Sequence, residues 1–257
     1  MRLTTLGTGT VALTPARVCA GHLVHAGDVM MLMDCGSGVT HRLAEHEPRW
    51  REITHVGFTH FHADHIGDFA TLVFAWKYSS IPGRSAPLTV IGPAGISDLL
   101  GRLADGFGAW LREPGFPMTV VELAAGASVD LGDGVTLSAT KVPHTPESVA
   151  YSIARGGRRV VYTGDTGYDP MLAEWARHSD VLLCECSLPD DMGIPEHLTP
   201  AQCGALAAGA LPKHLVLTHF YPPVERTDVR AQVAAHYAGP VTLAEDGATF
   251  EIEEDRC

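Results

Sequence analysis

The chain has 257 residues, 46% of them hydrophobic and 19% charged, with 18 Lys and Arg against 30 Asp and Glu for a formal charge of −12. That balance allows a sizeable core, excludes disorder, and excludes the broad basic face with which proteins grip a nucleic-acid backbone. No run of apolar residues is long enough to span a membrane, and "MRLTTLGTGT" has no charged region leading into an apolar one, so a cytoplasmic protein without a signal peptide is expected.

In chain order, strand-like runs rich in β-branched and apolar residues begin with "RLTTL", "GHLVHA", "VMMLMD", "ITHVGFT", "LTVIG" and "TVVEL". They continue with "VTLSATKV", "SVAYSIA", "RVVYTGD", "VLLCECS", "HLVLTH" and "VTLAED". Helical patterns fall between them at 38–47, 66–77, 94–106, 170–178, 200–210 and 226–237. Tight turns such as "HAGDVM" and "DLGDGV" join several strands directly, so the order is neither strict βαβ alternation nor all-β. Two packed mixed sheets with helices outside fit this order, in one domain over 1–257. The Pro- and Gly-rich stretches "SSIPGRSAP" and "REPGFP" read as loops.

Two features invite readings that their context does not support. "TTLGTGTVA" matches G-x-G-x-x-A at Gly7, Gly9 and Ala12, but "LTPAR" follows where a dinucleotide site needs a helix to open. The six cysteines (19, 35, 184, 186, 203 and 257) contain no CxxC pair and read as reduced thiols; Cys184 and Cys186 read as alternate positions on a strand end.

The chemistry is concentrated in "FTHFHADHIGD", where His60, His62, Asp64 and His65 fall within six positions after an apolar strand. His60 and His62 alternate on extended chain and face one side, and Asp64 and His65 follow as the chain turns into a helix near Ile66. Imidazole and carboxylate groups suit divalent zinc. Three further candidates sit just past strands: His144 in "KVPHTPES", Asp165 in "VVYTGDTGYD" and His219 in "HLVLTHF". Strand ends are where a rigid scaffold presents a site. Trp76, Tyr78 and Phe107, aromatic residues on helical stretches, read as core rather than as a pocket wall.

The ordered set "THFHADH", "VPHT", "GDTG" and "LTHF", preceded by "LGTGT" and "MDCGSG", resembles the metallo-β-lactamase fold superfamily of metal hydrolases across essentially the whole chain. The resemblance implies an α+β fold, a four-layer αββα sandwich with two zinc ions between the sheets, Mn2+ or Fe2+ being the alternatives. It implies that His60, His62 and His144 hold the first ion, that Asp64, His65 and His219 hold the second, and that Asp165 bridges them. It also makes Asp34 of "MDCGSG" an outer acid that steadies the ligands. Two such ions share a water, lower its pKa, and present hydroxide as the nucleophile.

Within the superfamily, "PEHLTPAQCGALAAGALPKHLVLTHF" is similar to the segment before the last histidine of ribonuclease Z-type enzymes. There a histidine protonates the leaving group, which makes His197 the proton donor, with Glu196 to orient it. Thr199 and Pro200 then cap and open the following helix. "VIGPAG" resembles that branch's mid-chain turn. The long arm that tRNA-processing members carry between the third and fourth motifs has no room between His144 and Asp165, and "HFYPP" departs from the branch's usual downstream pattern. A phosphodiesterase for small diesters is therefore expected. A carboxylic ester, lactone or thioester hydrolase is the alternative, and tRNA processing or a non-enzymatic sensor ranks lower. A small-molecule substrate and no tRNA are expected as partners, and a homodimer is compatible with the sequence.

Overall fold

Short β-branched runs closed by Gly and Asp turns make the early strands pair as hairpins, and longer polar-apolar periodicities between later strands make helical crossovers. The computed structural model describes residues 1–253; Cys257 lies outside them. In the first half β1 (Arg2–Gly7), β2 (Gly21–Ala26) and β3 (Val29–Met33) lead through helix α1 (Val39–His46) to β4 (His55–Gly57). Helices α2 (Ala63–Ile66) and α3 (Phe69–Tyr78) precede β5 (Leu88–Gly92), and α4 (Ile96–Phe107) precedes β6 (Met118–Glu122). The second half opens with β7 (Ser128–Gly132), β8 (Val135–Lys141), β9 (Val149–Arg155) and β10 (Arg158–Tyr162). Helix α5 (Pro170–Trp175), β11 (Val181–Glu185), α6 (Pro200–Ala210), β12 (His214–Thr218), α7 (Val229–Ala234), β13 (Val241–Leu243) and β14 (Ala248–Glu251) complete the order.

The strands form two seven-stranded mixed sheets, β14-β1-β2-β3-β4-β5-β6 and β13-β12-β11-β10-β9-β8-β7. In each, hairpin-linked antiparallel strands give way to parallel ones, from β3 to β6 in one sheet and from β10 to β13 in the other. Leu3, Val24, Met31, Ile153, Val160 and Val216 fill the space between the sheets. Leu32, Val56, Phe69, Val73, Trp76 and Leu100 pack the first sheet against its helices, and Leu182, Leu215, Leu217, Leu172, Cys203 and Leu206 pack the second. Parallel strands covered on both faces read as continuous apolar runs, which is why "VMMLM" and "VLLC" do not alternate. The result is the expected four-layer αββα sandwich. No helix among the described residues is long and apolar enough to cross a membrane.

Three local expectations change. The helix expected over 66–77 is broken at Gly67 and Asp68, where Asp68 N donates to Cys35 O (2.9 Å) instead of within the helix and its carboxylate accepts from Gly38 N (2.9 Å), Thr40 N (3.1 Å) and Thr40 Oγ1 (2.8 Å) at the start of α1. Asp64 and His65 consequently lie inside α2 instead of ahead of a helix. The helix expected over 226–237 is confined to α7, which Asp228 caps through Ala231 N at 3.0 Å. Strands β7 and β14 add an edge pairing to each sheet that the apolar pattern does not announce, since each is half exposed and pairs on one side. The "LGTGT" loop opens no helix; it runs beside Phe220, whose N–H donates to Thr8 O at 3.0 Å. Trp76 is core, whereas Tyr78 and Phe107 belong to an exposed aromatic cluster with Phe74 and Trp110.

Candidate metal centre

The segments that leave the ends of β3, β4, β8, β10 and β12 converge at one edge of the sandwich and carry Asp34, the 60–65 group, His144, Asp165 and His219. Their approach is tight. A Cβ on Gly36 would meet Asp64 O at 1.9 Å, and one on Gly167 would meet Pro195 O at 1.8 Å, so larger residues would push these segments apart. Asp34 (φ 58°) and His219 (φ 60°) both hold left-handed backbone, uncommon for such residues and concentrated at functional sites.

All seven residues singled out by the sequence meet here. His60, His62, His144 and Asp165 form one group, Asp64, His65 and His219 another, and within each the candidate ligand atoms lie within 4.8 Å of one another. Asp165 stands between the groups. Its Oδ1 is 3.2 Å from His65 Nε2 and 3.3 Å from His219 Nε2, and its Oδ2 is 3.8 Å from the Nε2 atoms of His60 and His144. Asp64 Oδ2 lies 3.6 Å from His219 Nε2.

The outer hydrogen bonds decide which ring nitrogen faces inward. Asp34 is fully buried and accepts four: Thr59 N to Oδ1 at 2.8 Å, and Thr59 Oγ1 (2.9 Å), Tyr162 Oη (2.9 Å) and His65 Nδ1 (2.8 Å) to Oδ2. With its proton given to Asp34, Thr59 Oγ1 accepts from His60 Nδ1 at 3.1 Å. His144 Nδ1 donates to Glu196 O at 3.0 Å, and His219 Nδ1 donates to Ser187 Oγ at 2.9 Å. Each of these four rings therefore turns Nε2 toward Asp165. His62 instead presents Nδ1, 3.1 Å from His144 Nε2. Lys141 Nζ ties the His144 loop by donating to the carbonyls of Val142 (2.9 Å), Thr145 (2.5 Å) and Ser148 (3.2 Å).

The donor set fits divalent cations. The buried Nε2 atoms of His60, His65 and His219 and Oδ1 of Asp165 have no hydrogen-bond partner, an expensive arrangement unless something else satisfies them. Imidazole nitrogen and carboxylate oxygen in two adjacent groups are the chemistry that zinc takes. Burial pushes the His60 imidazolium down, which keeps its ring neutral with a lone pair to offer. Burial alone would raise the Asp165 carboxyl, but His219 and His65 hold it well below the usual range.

One further histidine joins the rim. His197, nearly buried, places its ring 4.9 Å from that of His144 and 5.7 Å from that of His219. The sequence reading gives Glu196 the task of orienting it, and here the structure corrects that reading. The Glu196 side chain is exposed, and only its carbonyl meets the site, at His144. The carboxylate on His197 is Glu185, fully buried at the end of β11, with Oε1 and Oε2 3.0 and 3.2 Å from Nδ1. Glu185 also accepts from Thr166 N (2.6 Å), Leu198 N (3.2 Å) and Ser187 Oγ, so one carboxylate steadies His197, His219 and the turn after Asp165. Burial lowers the His197 imidazolium, but Glu185 outweighs it and lifts the group to about 9. A lone acid inside the apolar run "VLLCECS" is the signal that could have revealed it. After His197, Thr199 N donates to Gln202 Oε1 at 3.0 Å in a capping box, and Pro200 opens α6.

Tyr162 offers a direct check on the buried network. Burial and the adjacent Asp34 push its phenol well above the ordinary range, so it stays a donor. Tyr162→Phe should lower stability to urea by about 1–3 kcal/mol in the metal-free protein. An unchanged denaturation midpoint would mean that the Asp34 bond contributes nothing to the fold.

Comparison with known proteins gives a consistent picture. The family model described as "Beta-lactamase superfamily domain" matches residues 30–220. Uncharacterized protein Rv1339 of Mycobacterium tuberculosis (strain ATCC 25618 / H37Rv) is 32% identical over 257 residues, covering 98% of this chain and 92% of that protein. Ribonuclease Z of Mycobacterium bovis (strain BCG / Pasteur 1173P2) is 29% identical over 281 residues, covering 100% of each. Among solved structures, the metallo-beta-lactamase fold protein YhfI from Bacillus subtilis superposes with a TM-score of 0.84 at 23% identity, covering 97% of this chain and 98% of that one. The chain belongs to the beta-lactamase superfamily and is one of its metallo-β-lactamase fold hydrolases, with ribonuclease Z among its relatives.

Proposed function

We propose that the protein is a dinuclear zinc phosphodiesterase that hydrolyses small diesters. His60, His62 and His144 would hold one ion and Asp64, His65 and His219 the other, with Asp165 available to both. Such ions, when bound, activate water and polarise the phosphoryl group. The remaining steps belong to the chain. His197 delivers a proton to the departing oxygen, and Glu185 fixes its tautomer and stabilises its positive charge. Asp34 keeps His65 and, through Thr59, His60 in their inward orientation. Asp64 serves the site as a ligand, and Glu196 contributes its carbonyl alone.

The observation that carries this reading is the His197–Glu185 pair beside both ligand groups. A proton donor matters when an alkoxide must leave and matters little for a thiolate, which favours a diester over a thioester. Small diesters are favoured over tRNA by two features. Residues between His144 and Asp165 form a plain β9–β10 hairpin with a Gly156-Gly157 turn, and the charge of −12 gives little hold on a polyanion. The five described cysteines are free and buried, which suits a reducing cytoplasmic setting.

The test is metal analysis of the purified protein with a panel of bis-aryl diesters, phosphate monoesters, lactones and a tRNA precursor. Zinc with chelator-sensitive diester hydrolysis is the expected result. Preferred turnover of lactones would install the ester hydrolase instead, and efficient 3′ trimming of the precursor at physiological salt would restore tRNA processing.

A further inference from the structure

The "HFYPP" segment departs from the usual downstream pattern of ribonuclease Z-type enzymes, and its Tyr221 comes two positions after His219. Its backbone is pinned on both sides: Phe220 N donates to Thr8 O at 3.0 Å, and Tyr221 N donates to Ser187 O at 3.2 Å. Phe220 turns into the core, and Tyr221 stays partly exposed at the rim. The Tyr221 ring meets His219 edge-on (6.1 Å between centroids, 88°) and His197 likewise (6.1 Å, 71°). Its hydroxyl faces the side chain of Thr10, which is buried in the loop after β1. The ring thus spans from the proton donor to the opposite loop.

We propose that Tyr221 is a substrate-contacting residue that walls the leaving-group side of the site and selects diesters whose leaving alcohol is uncharged and presents a flat or apolar face. The inference rests on the diesterase reading above. Placement beside His197 puts the ring where the departing group must lie when it receives its proton. The electrostatics set the charge preference. Glu185 on His197 (3.0 Å) and Glu225 on Arg17 (2.7 Å) leave carboxylates around this end of the site, so an anionic leaving group would meet like charge. The nearby cation is already engaged: Arg17 donates to Thr8 Oγ1 (2.5 Å), Ala244 O (2.6 Å) and Glu225 Oε1 (2.7 Å) while lying 4.6 Å over the Phe220 ring.

The experiment compares wild type, Tyr221→Phe and Tyr221→Ala, all zinc-loaded, on three diesters that share one phosphoryl group. Their leaving alcohols are benzyl, methyl and carboxybenzyl. Wild type should prefer benzyl. Tyr221→Ala should raise KM for the benzyl diester on the order of tenfold, the scale of one lost aromatic contact, while KM for the methyl diester stays within about twofold. Tyr221→Phe should keep the benzyl preference, and zinc content and the binding of a non-hydrolysable methylphosphonate should be unchanged in both. Equal losses in kcat on all three diesters, or lost zinc, would reduce Tyr221 to a brace for His219 and overturn the proposal. Wild type inactive on every diester would sink the diesterase reading itself, a result distinct from active wild type with an indifferent Tyr221→Ala.

Discussion

Replacing Asp165 with alanine is expected to remove activity and metal together while leaving the protein folded. The side chain is buried, yet its contacts are four imidazoles, with none of the apolar packing that holds the sheets together. Without it, His65, His219, His60 and His144 lose the one carboxylate that approaches histidines of both ligand groups. Disturbing an outer partner of a metal ligand typically lowers metal affinity or activity by about 10–100-fold, and loss of a carboxylate that approaches both ligand groups should exceed that. Zinc per chain should fall by at least half and diester hydrolysis should reach background, while the far-ultraviolet circular dichroism spectrum matches wild type. An Asp165→Ala protein with full activity and full zinc would end the reading of two ions joined by this residue.

The ligand set is legible in the sequence because each candidate follows an apolar strand directly, and parallel strands deliver their ends to one edge of the sandwich. Spacing alone groups His60, His62, Asp64 and His65. Nothing local joins them to His144, Asp165 and His219, and that assignment came from resemblance to a family. The partner of His197 shows where neighbourhood in sequence misleads. Glu196 is adjacent along the chain, but it sits on a turn closed by His197 N to Ile194 O at 3.4 Å, and its side chain points to solvent. Glu185 is 12 positions away and reaches His197 because β11 ends beneath the loop that enters α6. The broken helix at Gly67 and Asp68 has a similar cause, an N–H and a carboxylate of Asp68 drawn to other segments by bonds that the local pattern does not encode. Strands β7 and β14 escape notice because edge strands with one covered face need few apolar residues.

His197→Ala is expected to slow hydrolysis in proportion to how poor the leaving group is. General acid catalysis contributes typically about 10²–10⁴-fold, so an alkyl diester should lose about that much in kcat. A nitrophenolate departs without help and should retain far more of its rate in the same variant. Zinc content should hold, because the seven candidate ligands remain. Glu185 acts through the ring it touches, so Glu185→Gln should steepen the dependence on leaving-group pKa in the same direction. It should add little to that slope once His197 is gone, because two residues serving one proton transfer do not contribute independently. Any further loss in the double variant that is equal on all substrates reports the other bonds of Glu185, through Ser187 to His219 and to Thr166 N. The measurement is kcat for wild type, both single variants and the double variant across diesters with graded leaving-group pKa. A His197→Ala loss of the same size on every diester would mean that the ring only shapes the site, and the ester or lactone hydrolase reading would then take precedence.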